Sequence, residues 1–208
     1  IIGGNAVLAG RSADWYLELI GSADDDRSLA YAEAEALAGR VPPGADGVRF
    51  LPFLAGQVSP EARPGARALF AGLGLAHGQG ELYRAVLEGA SFAVRGIFDQ
   101  VVGWCGQPGR IRATGGGAES TLWMSILANV LNQPIELTGG GVEGRGAVMC
   151  LAVALGLHSD LHQARDAMVR LEETVQPVGE QVTAYQAVYE DWSRLNDLSR
   201  SFDQRPSV

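Results

Sequence analysis

The chain has 208 residues, 47% of them hydrophobic and 19% charged, with a formal net charge of −8. That composition supports one sizeable core and excludes a disordered polymer, while the negative balance argues against nucleic acid or an anionic membrane surface as the main partner. All 16 basic residues are arginine, which excludes a P-loop lysine on phosphates or a Schiff-base lysine within this sequence.

In chain order, Ile1-Ile2-Gly3-Gly4 resembles the start of a mature trypsin-like protease. No glycine-flanked nucleophilic serine with a plausible His and Asp follows, so that reading is rejected. Leu8, Trp15, Leu17 and Leu19 predict a first helix, Asp24–Asp26 a solvated break, and Ser28 to Leu37 a second helix rich in Ala and Glu. Pro42-Pro43-Gly44 ends it. Val48 to Leu54 reads as a strand, residues 55–67 as an exposed Gly/Pro/Arg loop, and Ala68 to Leu75 as a second strand.

The strongest helix signal runs from Gln79 to Val102, where Leu82, Val86, Ala90, Ala93, Ile97 and Val101 recur at spacings of four and three. Gly106, Pro108 and Gly109 stop it. Beyond them the pattern alternates: strand 110–113, turn 114–117, helix 120–131, strand 134–137, turn 139–141 and helix 143–155. Two further helices are predicted over 160–173 and 180–202. Strand, turn and helix repeated at this spacing argue for an α/β domain with some parallel strands. No repeat or flexible linker divides it, so a single domain over 1–208 is expected.

Cys105 and Cys150 each stand alone in apolar stretches and read as buried small hydrophobes, which fits a reducing cytoplasm. His77, His158 and His162 are scattered and form no zinc pattern with them. No run of 18 apolar residues is long enough to span a membrane. The start at Ile1, with no initiator Met and no basic leader, reads as a piece of a longer protein.

The most informative segment is Thr114-Gly115-Gly116-Gly117-Ala118-Glu119-Ser120-Thr121-Leu122-Trp123, between a strand and an amphipathic helix. Glycines allow a sharp turn and the close approach of a flat ligand. Ala118 is small enough to keep that approach open, and Ser120 and Thr121 can cap free N–H groups or meet a ligand. From these residues alone, a tight turn with an ordinary cap and a nucleotide surface both remain open. Gly139, Gly141 and Gly144 match a dinucleotide fingerprint, but helix is expected where its acidic partner should end a strand, so the match is discounted as a cofactor fingerprint while the helix N-terminus is kept as a candidate anion site. Arg84 and Glu88 stand at i, i+4 spacing and read as a surface ion pair, unless they face a cleft.

Taken together, several segments resemble the C-terminal half of the FGGY carbohydrate kinases, the family of xylulokinase-like and glycerol kinase-like enzymes. They are Phe50-Leu51-Pro52-Phe53, Gly56 to Pro60, Phe70-Ala71-Gly72-Leu73, Arg84 to Phe92, Gly115 to Ser120 with Trp123, Glu143 with Gly146-Ala147-Val148, and Pro177 with Tyr185 and Tyr189. The resemblance spans roughly residues 5–200 and implies an actin-like, ribonuclease H-like α/β ATPase domain, a mixed sheet flanked by helices.

What the resemblance further implies is an ATP-dependent sugar kinase acting on a ketopentose such as xylulose, with Mg2+ on the phosphates. Gly115 would belong to the nucleotide-binding set, with Gly116, Gly117 and Ala118 against adenine and ribose and Ser120 and Thr121 beside the base. The catalytic Asp, the sugar pocket and the first phosphate loops would precede Ile1, so no catalytic residue and no metal ligand is expected in this chain. A small-molecule sugar would be met through the N-terminal half, and a homodimer is carried as an open expectation. Three departures stand out: Glu119 replaces a lysine, Asn129 stands where Asp is common and reads as a cap or surface change, and Gln57-Val58 removes two charges from a loop expected near the cleft. The alternative is a non-catalytic nucleotide-binding or interaction module of the same fold.

Overall fold

A computed structural model describes residue 6 and residues 9–21, 27–138 and 142–203. The expectations on Ile1–Gly4, Asp24–Asp26, Gly139 and Gly141, and on the side chain of Glu143, lie outside the described residues. The first two predicted helices are α1 (Ala9–Leu19) and α2 (Arg27–Ala38). They are tied together by Arg27, whose Nη2 lies 2.7 Å from Glu18 Oε1.

The two predicted strands that follow shrink to β1 (Arg49–Leu51) and β2 (Leu69–Ala71), paired antiparallel with Phe50 opposite Phe70. The segment between them is only in part the exposed loop its Gly/Pro content suggests: Val58, Pro60, Glu61 and Ala62 face solvent, but Gly56, Gln57, Arg63 and Ala66 are buried. Arg63 is buried and donates from Nη1 to Gln57 Oε1 (3.2 Å) and Asn196 Oδ1 (2.7 Å), from Nε and Nη2 to Asp203 (2.8 and 2.7 Å), and from Nη2 to Ser199 Oγ (3.1 Å). One guanidinium thereby joins Gln57 of this segment to Asn196, Ser199 and Asp203 far along the chain, an arrangement its five donors allow.

The long helix α3 (Gln79–Cys105) is the hub, with α1, α2, β1 and α4 (Thr121–Leu131) packed against it. Its buried stretch from Tyr83 to Phe92 is enclosed on nearly every side, so the three-four apolar stripe describes only part of what is covered. Gly89 permits the closest approach. A Cβ there would sit 2.2 Å from Phe50 O, so any side chain would push α3 off β1. Around this contact Trp15 stacks on Phe50 and Phe70, which are tilted against each other. Trp192 donates from Nε1 to Phe50 O at 2.7 Å, which joins α7 (Gly179–Ser199) to the same core.

Downstream, β3 (Ile111–Ala113) runs parallel to β4 (Ile135–Thr138), which pairs antiparallel with β5 (Leu171–Val175), giving a sheet in the order β3-β4-β5. The helix predicted over 160–173 is therefore two elements, α6 (Leu161–Met168) and then β5. Glu172 and Glu173 carry good helix propensity, but pairing with β4 supplies the ladder that decides the conformation. Between β4 and α6 lies α5 (Val142–Ala154). Among the described residues, no helix is long and apolar enough to cross a membrane.

Both cysteines are exposed, Cys105 at the last turn of α3 and Cys150 on α5, contrary to the buried positions expected of them. The apolar neighbours that suggested burial share that exposure: Trp104, Val148 and Leu151 also face outward.

Candidate functional site

The junction from β3 to α4 is built by its glycines. Gly115 adopts φ 86°, a left-handed conformation that L side chains rarely take, and turns the chain out of the strand. A short 3-10 turn over Gly116–Glu119 follows. Ser120 then caps α4, its Oγ accepting from Trp123 N at 3.0 Å. The Trp123 ring folds back beneath the turn, and its Nε1 donates to Ser91 Oγ at 3.0 Å. Ser91 in turn donates to Leu87 O at 2.8 Å, so the ring is locked to α3.

This junction opens on a cavity of about 690 Å³. From the junction side it is lined by Gly116, Gly117, Glu119, Ser120 and Trp123; from α1 and α2 come Arg11, Asp14, Tyr31 and Glu35; Tyr83 and Leu87 of α3 complete it. A volume of several hundred Å³ with aromatic walls and a few polar groups is the usual character of a small-molecule site.

The candidate residues divide by position. Gly116, Gly117 and Ser120 line the cavity. Gly115 shapes the turn, Ala118 packs against the core, and Thr121 is exposed at the start of α4; these three are not among its lining residues. The glycines differ in what they leave open. A Cβ on Gly116 would meet nothing within 4 Å, whereas one on Gly117 would lie 2.6 Å from Trp123 Cζ3. Gly117 is thus required first by the packing of Trp123, and Gly116 supplies the bare main chain facing open space.

The α1–α2 side of the site was not legible as a site in the sequence. Tyr31 donates its hydroxyl to Asp14 Oδ1, and burial first, then that bond, pushes the Tyr31 hydroxyl well above its ordinary pKa. Tyr83 is likewise pushed up, by burial and then by the charge of Glu35. Both phenols remain neutral donors at any physiological pH. With Asp14, Glu35 and Glu119 against Arg11, the lining carries three carboxylates and one guanidinium, a formal −2. Such a cavity suits a neutral, flat group, and a phosphate only at its edge.

Arg84 and Glu88 correct the expectation of a surface pair. They are 5% and 1% exposed, and Arg84 Nε donates to Glu88 Oε1 at 2.9 Å. The same oxygen accepts from Gly44 N (3.0 Å) and Tyr185 Oη (3.0 Å), and Arg84 Nη2 donates to Tyr185 Oη at 2.7 Å. Burial pushes the Glu88 carboxyl up, opposed by Arg84, the Gly44 N–H and Tyr185. The pair does not line the cavity; it joins α3 to α7 and to the turn before β1. Asn129 is also buried, neither a surface change nor the cap of its own helix. Its Nδ2 donates to Ser125 O and Gln181 Oε1 (both 2.8 Å), and its Oδ1 accepts from Val178 N at 2.6 Å. Gln57 is held by the Arg63 clamp and Val58 faces solvent, and neither lines this cavity.

Residues 2–155 match the C-terminal domain of the FGGY family of carbohydrate kinases. The chain is 33% identical over 185 residues to a xylulose kinase of Escherichia coli, covering 88% of this chain and 37% of that protein. It is 32% identical over 204 residues to a glycerol kinase of Gloeobacter violaceus, covering 96% and 39%. In three dimensions it superposes on the crystal structure of xylulose kinase from Rhodospirillum rubrum with a TM-score of 0.80 at 31% identity, covering 94% of this chain and 39% of that one. The chain therefore spans well under half the length of these relatives. The mixed sheet flanked by helices is the actin-like α/β arrangement of these sugar kinases. By the family match over most of its length, the chain belongs to the FGGY carbohydrate kinases and carries their C-terminal domain.

Proposed function

We propose that residues 1–208 are the nucleotide-holding domain of an ATP-dependent carbohydrate kinase whose acceptor is a ketopentose such as xylulose. The observation that carries this is the cavity at the Gly116–Gly117 junction, where side-chain-free main chain meets the aromatic walls of Tyr31, Tyr83 and Trp123. A purine is flat, largely neutral and about the right thickness to lie on such a ledge.

In this reading the chain's residues bind and orient the nucleoside and shield it from water. Phosphoryl transfer depends on positioning and charge stabilisation more than on covalent help. The excess of carboxylates directs the phosphates out of the cavity. Mg2+ would travel with those phosphates and neutralise their charge. Among the described residues no three His, Cys, Asp or Glu side chains gather as a metal would need, so no metal step is assigned to them. The general base on the sugar hydroxyl would come from outside this chain, as would the sugar pocket.

Calorimetric titration with ADP and with adenosine tests the reading. Both should bind weakly, and Gly116→Leu should abolish binding while the fold stays intact. Equal binding by the Leu variant would remove the ledge from the site. For the full-length protein, ATP consumption should depend on an added pentulose; silence across pentuloses, hexuloses and glycerol would leave a non-catalytic nucleotide-binding module.

A further inference from the structure

The polar groups of the cavity are unequally occupied. Asp14 already accepts from Tyr31 and lies 4.0 Å from Arg11 and 3.9 Å from Arg27. Ser120 Oγ accepts from the main chain of α4. Glu119 is exposed to solvent. Glu35 is different: it is half-buried, one helical turn after Tyr31 on the same face of α2, and lines the cavity. Its carboxylate makes no hydrogen bond or ion pair among the described residues.

A half-buried carboxylate without a donor has lost part of its hydration and gained nothing in return. A ligand that brings an N–H to it recovers that loss. Glu35 lines the cavity together with Tyr31 and Tyr83, which sets it beside the aromatic wall against which a base would lie.

We infer that Glu35 reads the edge of the bound base, its carboxylate accepting a hydrogen bond from an exocyclic amino group, so that the cavity selects an aminopurine. This rests on the cavity being a nucleoside site. It goes further by naming the residue that discriminates among bases and the chemistry it requires. The ledge at Gly116 is indifferent to the base edge, because every purine has the same flat face. Discrimination must therefore come from a polar group at the rim of the base, and sites that hydrogen-bond a ligand N–H reject the analogue lacking it more strongly than apolar walls can.

The test compares adenosine with purine riboside, which is the same nucleoside with hydrogen in place of the amino group, by calorimetry on the 208-residue chain. Neither carries phosphate, so the readout is confined to the cavity. Wild type should prefer adenosine by about tenfold, the equivalent of one charge-assisted hydrogen bond. Glu35→Leu should bind both equally, and the near-isosteric Glu35→Gln, a weaker neutral acceptor, should keep a smaller preference. Near-UV circular dichroism confirms that each variant is folded. Equal binding of the two nucleosides by wild type overturns the role of Glu35 while leaving the cavity a nucleoside site. A tenfold preference that survives in Glu35→Leu overturns it as well. No binding of either nucleoside by wild type overturns both the inference and the nucleotide reading beneath it.

Discussion

The two glycines of the ledge separate packing from binding, and a pair of substitutions exploits this. At Gly117 an added Cβ would lie 2.6 Å from Trp123 Cζ3 and 3.2 Å from Cε3, against an ordinary contact of roughly 3.5–4.0 Å. Either the turn or the ring must move by about 1 Å. Trp123 is not free to yield, because its Nε1 is bonded to Ser91 Oγ at 3.0 Å in a buried position. Overpacking of this kind costs about 1–3 kcal/mol, and loss of the Ser91 bond would add about 1 kcal/mol. For a chain of this size, each kcal/mol lowers Tm by about 2–4 °C. Gly117→Ala should therefore lower Tm by several degrees. Gly116→Leu should not, because its side chain enters open space and the backbone there is not left-handed. The assay is thermal unfolding of both variants beside adenosine titration. An unchanged Tm for Gly117→Ala together with a lowered Tm for Gly116→Leu would refute the division of roles.

Further outcomes follow from the buried polar groups. Glu88→Ala strands Arg84, Tyr185 Oη and the Gly44 N–H without their shared acceptor, and should cost about 3–5 kcal/mol in urea unfolding; a loss under 1 kcal/mol would mean the network is not cooperative. Asn129→Asp removes the donor to Ser125 O and Gln181 Oε1 and sets a carboxylate beside both, for a loss of about 1–3 kcal/mol, measurable by the same method. Asp203 is held below the usual carboxylate range by its hydrogen bonds from Arg63. Its folded pKa is the lower one, so its contribution is complete above the ordinary value of 3.8 and is lost as pH falls through the folded value. The stability gap between wild type and Asp203→Asn should accordingly close below about pH 4, as followed by Tm.

How much was legible in the sequence varies by residue. The β3–turn–α4 junction is legible as strand, Gly-rich turn and capped helix, because a left-handed Gly115 and a capping Ser120 act within a few residues of chain. The Arg84–Glu88 spacing was equally visible, but its placement was not: nothing local says that Tyr185, 101 residues beyond Arg84, closes over it. The same is true of Arg63, whose carboxylate partner lies 140 residues away.

The helices of strong period and the order of the family's motifs are legible in the residues alone. Both are set by interactions a few residues apart, or by a string of residue types that needs no coordinates to be compared. Long-range packing is what makes residues 171–175 a strand, sets Gly117 against Trp123, and brings Asp14, Tyr31 and Glu35 of α1 and α2 to the ledge at Gly116. Those outcomes depend on pairing and burial between segments far apart in the chain, which override local propensity and leave no periodic mark in it.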